Sequence, residues 1–181
     1  MTREEAYNLV KQHMQTKNLI KHVIAVEAIM RGLACKFEQD EHKWALSGLL
    51  HDLDYDQTKD DPENHTLLTA KILAENDISD EIIHAIKCHN CKAEKISLMD
   101  RALYAADPMS GFIVAAALMH PDKKLASLDV EFINRRFGEK RFAAGANREQ
   151  MASCEHLGLS LEEFIQLSLQ SMQEIHKDLG L

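Results

Sequence analysis

The stretch WALSGLLHD, residues 44–52, decides the fold of this chain. It lies in a predicted helix over 41–52 that is apolar on nearly every side, a pattern typical of a helix buried all round. An unpaired carboxylate at the end of such a helix is costly to bury. No Lys or Arg precedes Asp52 within one turn, and His51 is itself a metal-ligand type. A shared metal ion is therefore an economical partner for Asp52, with a simple His-Asp pair at a helix end as the alternative.

The composition favours one all-α domain. The chain has 181 residues, of which 45% are hydrophobic and 28% are charged, which is sufficient for a single core. Only 7 Gly and 3 Pro interrupt a sequence rich in Leu, Ala, Glu, Lys and Met, so long helices are favoured over many short strands. We predict a helical core over residues 1–124 and a helical annex over 125–181 that packs on the same domain.

Local signals place the helices along the chain. Three capping patterns, each a Ser or Thr followed three residues later by an acidic residue, predict helix starts: Thr2 with Glu5, Ser97 with Asp100, and Ser160 with Glu163. The first helix is predicted to end near His13 or Met14, and the last at Gly180. Asn18 is expected to cap a long second helix, and further helices are predicted over 63–75 and 80–89. Pro108 is expected to interrupt the chain before a helix over 109–119.

Charge and cysteine content exclude several classes of function. The net charge of -8 disfavours a nucleic-acid duplex as partner, because such partners are bound by basic surfaces. No stretch approaches the ~20 apolar residues of a membrane span, and MTREEAYNLV is unlike a signal peptide, so we predict a cytoplasmic protein without a membrane partner. Cys88 and Cys91 form a CxxC without a second CxxC, so helix-end packing is favoured over a zinc or redox role.

His22 lies between Leu19, Val26 and Ile29 on the inward side of the predicted second helix. These neighbours should carry its imidazole into the interior, where it must find a partner. Taken alone, a hydrogen-bonded core histidine is the common solution to this requirement. The other histidines and aspartates of the chain change that interpretation.

The order of four residues resembles the HD superfamily over roughly residues 18 to 120. A lone His on one helix is followed by a His-Asp pair ending a later helix, and then by an Asp after two alanines: His22, His51, Asp52 and Asp107. The resemblance implies a helical bundle of metal-dependent phosphohydrolases in which these side chains bind a divalent cation, with Asp52 and Asp107 at the catalytic centre. The letters HDLD depart from the HDIG variant of the superfamily.

Some members of the superfamily hold two metals, using one His at the start of the next helix and another His one helix later. His65 and His89 fit those places, and Asp52 would then bridge the two ions. The simpler roles are a solvated first-turn residue for His65 and a helix-end group for His89. His84 is predicted on the opposite side of its helix, at the surface. Asp100 either orients a ligand or only caps its own helix.

The implied ligand set suits Mn, Fe, Co, Ni or Zn, as one ion or two. Such an ion lowers the pKa of bound water toward ~7 and presents hydroxide to phosphorus. We therefore expect hydrolysis of a phosphoric ester or anhydride in a small phosphorylated molecule, preferably a nucleotide. Four cations are candidates for binding its charge, although a solvated helix face is the simpler role for each: Lys87, Lys92, Arg101 and Arg148.

Two other functions stay open. A minority of HD-fold proteins are mixed-valent di-iron oxygenases with the same ligands, and iron content with oxygen consumption would identify one. The non-enzymatic alternative is a helical binding or sensor module whose ligands hold a structural ion. Tight metal retention without turnover would favour that module.

Overall fold

The computed structural model describes all 181 residues and contains α-helices but no β-strand. The prediction of an all-α fold is confirmed. Two short 3-10 turns, Leu125–Ser127 and Ser153–Leu157, lie in the C-terminal third. The α-helices follow one another in this order: α1 Arg3–His13, α2 Lys17–Lys36, α3 Glu41–Leu50, α4 Tyr55–Thr58, α5 Leu67–Glu75, α6 Asp80–His89, α7 Leu98–Met119, α8 Val130–Phe137, α9 Arg148–Ala152, α10 Leu161–Glu174 and α11 His176–Leu179.

Helix α3 lies at the centre of the bundle and is buried from Trp44 to Leu50. Helices α1, α2, α6 and α7 pack around it. The contact with α2 is the closest, because Gly48 has no side chain: a Cβ there would lie 2.8 Å from both the backbone N of Glu27 and the carbonyl O of Val26. The all-round apolar pattern of WALSGLL therefore reflects a helix enclosed by its neighbours.

The residues after 124 share the hydrophobic core of the preceding helices. Helix α10 packs on α2 and α7, and the segment from α9 into the following 3-10 turn packs on α7. Phe164, Ile165 and Met172 are fully buried members of the same cluster as the central helices. One continuous core thus supports the site described below.

Several predicted helix ends are confirmed. The capping boxes at Thr2, Ser97 and Ser160 each form both of their hydrogen bonds. Helix α1 ends at His13, and α6 has the predicted bounds. These ends depend on hydrogen bonds between residues three apart, so the local sequence suffices to place them.

Other boundaries were wrong. Helix α2 begins at Lys17, before Asn18, and the Thr16 hydroxyl that precedes it donates to Asp56. Helix α5 begins only at Leu67, because Thr66 has a positive φ of 71°, which an α-helix does not accommodate. Helix α10 ends before Ile175, and the short α11 follows. The chain also forms α4, which was not predicted.

Helix α7 continues through Pro108 as one helix of 22 residues, so the predicted interruption was wrong. Proline removes one backbone hydrogen bond, here to the carbonyl of Tyr104. Buried residues on both sides of it, among them Ala106 and Met109, keep both halves in the same core.

By length and composition alone α7 could cross a membrane, contrary to the sequence expectation, but over half of its apolar window is buried in the bundle. A long apolar helix in the core of a folded domain meets the same length and composition criteria as a membrane span.

Candidate metal centre

Four imidazoles converge on the carboxylate of Asp52. They come from α2, from the residue after α3, from the turn before α5 and from the last residue of α6. Asp52 itself is only 5% exposed. The distances from Nε2 to the nearer Asp52 oxygen are 3.7 Å for His22, 3.5 Å for His51, 3.3 Å for His65 and 3.5 Å for His89.

Asp107 of α7 completes one side of this cluster. Its Oδ1 lies 3.2 Å from His22 Nε2 and 3.8 Å from His51 Nε2, and these two nitrogens are 3.2 Å apart. The ligand atoms of His22, His51 and Asp107 all lie within 4.8 Å of one another, and so do those of His51, Asp52 and His89. All six side chains predicted as metal ligands are thus neighbours in the fold.

Two of the imidazoles have a defined tautomer. Nδ1 of His51 is 2.8 Å from the carbonyl oxygen of Gly48, and Nδ1 of His89 is 2.7 Å from that of Ile86. A carbonyl oxygen only accepts, so each Nδ1 carries the proton and donates. The lone pair therefore lies on Nε2, the nitrogen directed at Asp52, as a metal ligand requires.

His22 is oriented by a hydroxyl that the sequence did not single out. Ser110 donates to the carbonyl of Asp107 at 2.9 Å, so its oxygen is free to accept from His22 Nδ1, also at 2.9 Å. Burial alone would lower the pKa of His22, but the contact of Nε2 with Asp107 Oδ1 at 3.2 Å outweighs it and raises the pKa, so a metal ion competes with a proton for this Nε2. Ser110 lies three residues after Asp107, one turn along α7, and that spacing is its only signal in the sequence.

Asp54 has the same role for His65. Its carboxylate accepts from His65 Nδ1 at 2.8 Å and from the backbone N of Thr69 at 2.9 Å, and it is fully buried. In the sequence, HDLD at residues 51–54 was noted only because it departs from the HDIG pattern. The second Asp of HDLD joins the metal centre by fixing an imidazole, not by reaching Asp52.

The charges at the centre are not balanced by Lys or Arg. The ion pairs of Asp52 and Asp107 within 4.0 Å are all with imidazoles. Burial lowers the pKa of His51 to about 4, despite the opposing effect of Asp52, so His51 is neutral near pH 7. Burial alone would raise the pKa of Asp52, but the neighbouring imidazoles, His51 first and then His65 and His89, hold it well below its usual range. Two ionised carboxylates among nitrogen lone pairs fit a divalent cation.

Protonated His65 supplies part of the missing positive charge. Burial would lower the pKa of His65, but the hydrogen bonds to Asp52 and Asp54 outweigh burial and raise the pKa to about 9. A metal ion at this position would have to displace the proton on Nε2. Metal and proton therefore compete for the same lone pair.

A cleft of about 440 Å³ opens beside this centre on the side of His22 and Asp107. The side chains of these two residues are 21% and 26% exposed, whereas His51 is fully buried, so the centre is accessible from solvent on this side. The remaining lining consists of small residues, Pro108 and two amides: Pro108, Gly111, Ala143, Gly145, Ala146, Asn147 and Gln150. Neither amide was predicted from the sequence.

None of the four cations predicted to bind substrate lines this cleft. Lys92 Nζ is 3.1 Å from a carboxylate oxygen of Glu63. Lys87 and Arg101 are half-buried on α6 and α7. Arg148 donates to the carbonyls of Ala143 at 2.6 Å and Ala146 at 2.9 Å, and so holds the turn at the rim of the cleft. Substrate binding by any of the four stays a prediction.

Comparison with known proteins agrees with this geometry. The family model of the HD domain matches residues 19–111. Ribonuclease Y of Oleidesulfovibrio alaskensis is 28% identical over 96 residues, which are 53% of this chain and only 18% of that protein. No solved structure gives a significant match. Because the matched segment covers half of the chain and includes every residue of the cluster around Asp52, the chain belongs to the HD domain family.

Proposed function

We propose that the chain is a metal-dependent phosphohydrolase of a small phosphorylated metabolite, preferably a nucleotide. The observation that carries the proposal is the environment of Asp52, a buried carboxylate with four imidazole Nε2 atoms within 3.7 Å and no Lys or Arg in contact. Membership of the HD domain family, whose superfamily consists largely of metal-dependent hydrolases, supports the reaction class.

Each of the six side chains has a distinct place in the proposed site. His22, His51, Asp52 and Asp107 would hold one ion, and His65 with His89 would hold a second one that shares Asp52. When bound, such ions lower the pKa of a coordinated water toward ~7 and offset negative charge on phosphoryl oxygens. The chain contributes imidazoles whose Nδ1 contacts fix the ring orientation and direct each Nε2 at the proposed ion positions. Asp107 borders the cleft and would orient the attacking water.

The cleft favours a small substrate. Its volume of about 440 Å³ is within the ~300–1,000 Å³ usual for small-molecule sites. It has no Lys or Arg in its lining, so the metal ions would bear most of the substrate's charge, while Asn147 and Gln150 can hydrogen-bond a sugar or base. A long RNA is disfavoured by the net charge of -8, although the match to ribonuclease Y makes RNA a necessary member of the test panel.

The test combines bound metal with phosphate release. The purified chain is loaded with Mn, Fe, Co, Ni or Zn and assayed on nucleotides, sugar phosphates and a short RNA. We expect release from a small substrate, and loss of activity and of the metal bound at the Asp52 centre in His51→Ala and Asp52→Ala. His156→Ala is the matched control, because His156 is an exposed histidine outside the cluster. Unchanged metal content in both His51→Ala and Asp52→Ala would show that these residues do not bind metal and would contradict the proposal.

The same preparation separates the two alternatives. Bound iron with oxygen consumption and no phosphate release would replace the proposal by a di-iron oxygenase. Firmly retained metal without any turnover would replace it by a binding or sensor module. Cleavage confined to the RNA would move the substrate class to polynucleotides.

A further inference from the structure

Helix α6 carries polar side chains on two opposite faces. His89 faces the metal centre, whereas His84 and Cys88, one turn apart, lie on the other face as helical geometry requires. There they meet Asp100 at the start of α7. His84 Nδ1 is 3.2 Å from Asp100 Oδ2 and 3.6 Å from Cys88 Sγ, and the donor atoms of the three residues lie within 4.8 Å of one another. His84 lies on the face opposite His89, as the sequence predicted, but its side chain is only 35% exposed and contacts Asp100 and Cys88.

Asp100 has one oxygen that its role as a helix cap does not explain. Its side chain is 1% exposed, and Oδ2 accepts from the backbone N of Ile96 at 3.0 Å and of Ser97 at 2.8 Å. Oδ1 is also buried but has no hydrogen-bond partner. A buried carboxylate oxygen without a partner is destabilising, and this one belongs to the same carboxylate whose Oδ2 contacts His84, so a ligand bound to this carboxylate would offset the cost.

We propose that His84, Cys88 and Asp100 bind a zinc ion at a second metal site, separate from the centre around Asp52. Imidazole, thiolate and carboxylate are all common zinc ligands. Two donors at about 2.0–2.3 Å from one tetrahedral zinc ion lie about 3.3–3.8 Å apart. The distances from His84 Nδ1 to Asp100 Oδ2, 3.2 Å, and to Cys88 Sγ, 3.6 Å, are close to that range.

The proposed site is reached from solvent beside His84. The side chain of His84 is 35% exposed in a surface groove between the start of α3 and the start of α7. A water molecule there would complete four ligands. The ion would link the end of α6 directly to the start of α7, the two helices that the irregular segment 90–97 connects. Its role would therefore be structural.

Cys88 must lose its proton to bind the ion. Its thiol donates to the carbonyl of Glu94 at 3.3 Å, and burial, followed by the charge of Asp100, raises the pKa of Cys88 to about 11. Zinc binding would break the S–H bond, form the S–Zn bond and release the proton to solvent. Cys91 is exposed and is not part of the cluster, so this site differs from the CxxC zinc motif that the sequence disfavoured.

Cobalt distinguishes this site from the centre around Asp52, whose ligands are nitrogen and oxygen atoms only. Metal-free reduced protein is titrated with Co²⁺, and thiolate-to-cobalt charge transfer is followed in the near ultraviolet. We expect the band in the unmodified chain, and its loss in Cys88→Ser and in His84→Ala. Each variant is also tested for zinc content, which should fall by about one equivalent. Far-UV circular dichroism confirms that each variant is folded.

Cys91→Ser and Cys35→Ser are the matched controls, because both thiols are exposed and lie outside the cluster. Both should keep the band. The proposal is overturned if the unmodified chain shows no charge-transfer band or if the band persists in Cys88→Ser. If Cys88→Ser does not fold, His84→Ala is the deciding variant, because the His84 side chain is only partly buried. An unchanged charge-transfer band in His84→Ala also overturns the proposal. Phosphate release is measured separately, so this test does not depend on the proposed reaction.

Discussion

The carboxylate of Asp52 is kept ionised in the interior by imidazoles and not by Lys or Arg. A neutral imidazole offers a lone pair, whereas a cationic side chain would repel a divalent ion. Burial that lowers the pKa of His51 to about 4 therefore favours metal binding, because the ligand is deprotonated before the ion arrives. His22 and His65 differ, because contacts with carboxylates raise the pKa of both, that of His65 to about 9, so a metal ion must compete with a proton there.

Asp54→Asn should weaken the metal position that contains His65. The buried Asp54 accepts from both His65 Nδ1 and Thr69 N, and an amide has only one oxygen for these two donors. Loss of such an outer contact typically lowers metal affinity by about 10–100-fold. Calorimetric titration with Mn²⁺, which a thiolate site does not favour, should show one weakened site and one unchanged site. Asp61→Asn, which neutralises an exposed carboxylate nearby, is the control; two unchanged sites in Asp54→Asn would contradict the role.

Asp56 should give the chain a pH-dependent stability that is separate from the metal. The Thr16 hydroxyl donates to it at 2.6 Å, and the backbone N atoms of Thr16 and Gln15 donate at 3.0 and 2.6 Å. These bonds, the hydroxyl first, lower the pKa of Asp56. Its contribution is therefore complete above the unfolded-state value of about 3.9 and is lost as the pH falls through the lower folded-state pKa.

The corresponding measurement is urea unfolding of the unmodified chain and of Asp56→Ala between pH 7 and pH 3. Asp56→Ala should be less stable at pH 7, and the difference should shrink below about pH 4 as the carboxylate is protonated. A difference that is constant over the whole range would mean that the charge of Asp56 does not contribute.

At the scale of the helices, the close contact of α2 with α3 depends on Gly48. Gly48→Ala should lower the free energy of unfolding by about 1–3 kcal/mol or more, because the new Cβ would meet backbone atoms of Val26 and Glu27 that cannot move aside. Gly111→Ala in α7 is the matched control. Its Cβ would meet nothing within 4 Å, so this change should stabilise by about 0.5–1 kcal/mol through helix propensity.

Equilibrium urea unfolding gives both values. Gly48→Ala should also reduce metal content, because the carbonyl of Gly48 accepts from Nδ1 of the ligand His51. If Gly48→Ala and Gly111→Ala shift stability in the same direction, the close approach of α2 and α3 is not the reason for a glycine at 48.

Sequence reasoning succeeded for the elements where the determining contacts are local. The capping box at Ser97 and the period of α6 need only residues within one turn, so both could be predicted. The continuation of α7 through Pro108 could not be predicted, because burial of both halves of α7 in the core outweighs the local effect of proline. The late start of α5 could not either, because no local residue pattern signals the positive φ of Thr66. Propensity is a weak guide when the core decides.

The same distinction holds for the candidate site. The six proposed ligands were identified because their types and order resemble a known superfamily. Asp54 and Ser110 were missed because their roles depend on contacts with His65 and His22 over 11 and 88 residues. The cluster of His84, Cys88 and Asp100 was missed for the same reason, since no linear pattern joins α6 to the start of α7.

At the scale of the whole molecule, residues 125–181 complete the core under the metal centre. Phe164, Ile165 and Met172 are fully buried against helices that precede residue 124. The turn held by Arg148 also forms the rim of the cleft. The annex therefore contributes both to folding and to access to the site, although none of the six proposed metal ligands lies in it.

The fragment 1–124 should therefore lack a cooperative unfolding transition. Without α10, the apolar sides of α2 and α7 would be exposed to water, and the loss of several fully buried side chains, each worth about 2–5 kcal/mol, would exceed a typical total stability of about 5–15 kcal/mol. Urea unfolding followed by circular dichroism, with bound metal measured in parallel, should show a gradual change and weak metal retention for the fragment, against a sharp transition for residues 1–181. Adding the segment 125–181 in trans should restore part of the transition if the two pieces share one core. A sharp transition with full metal content in the fragment alone would instead make the metal centre independent of the annex.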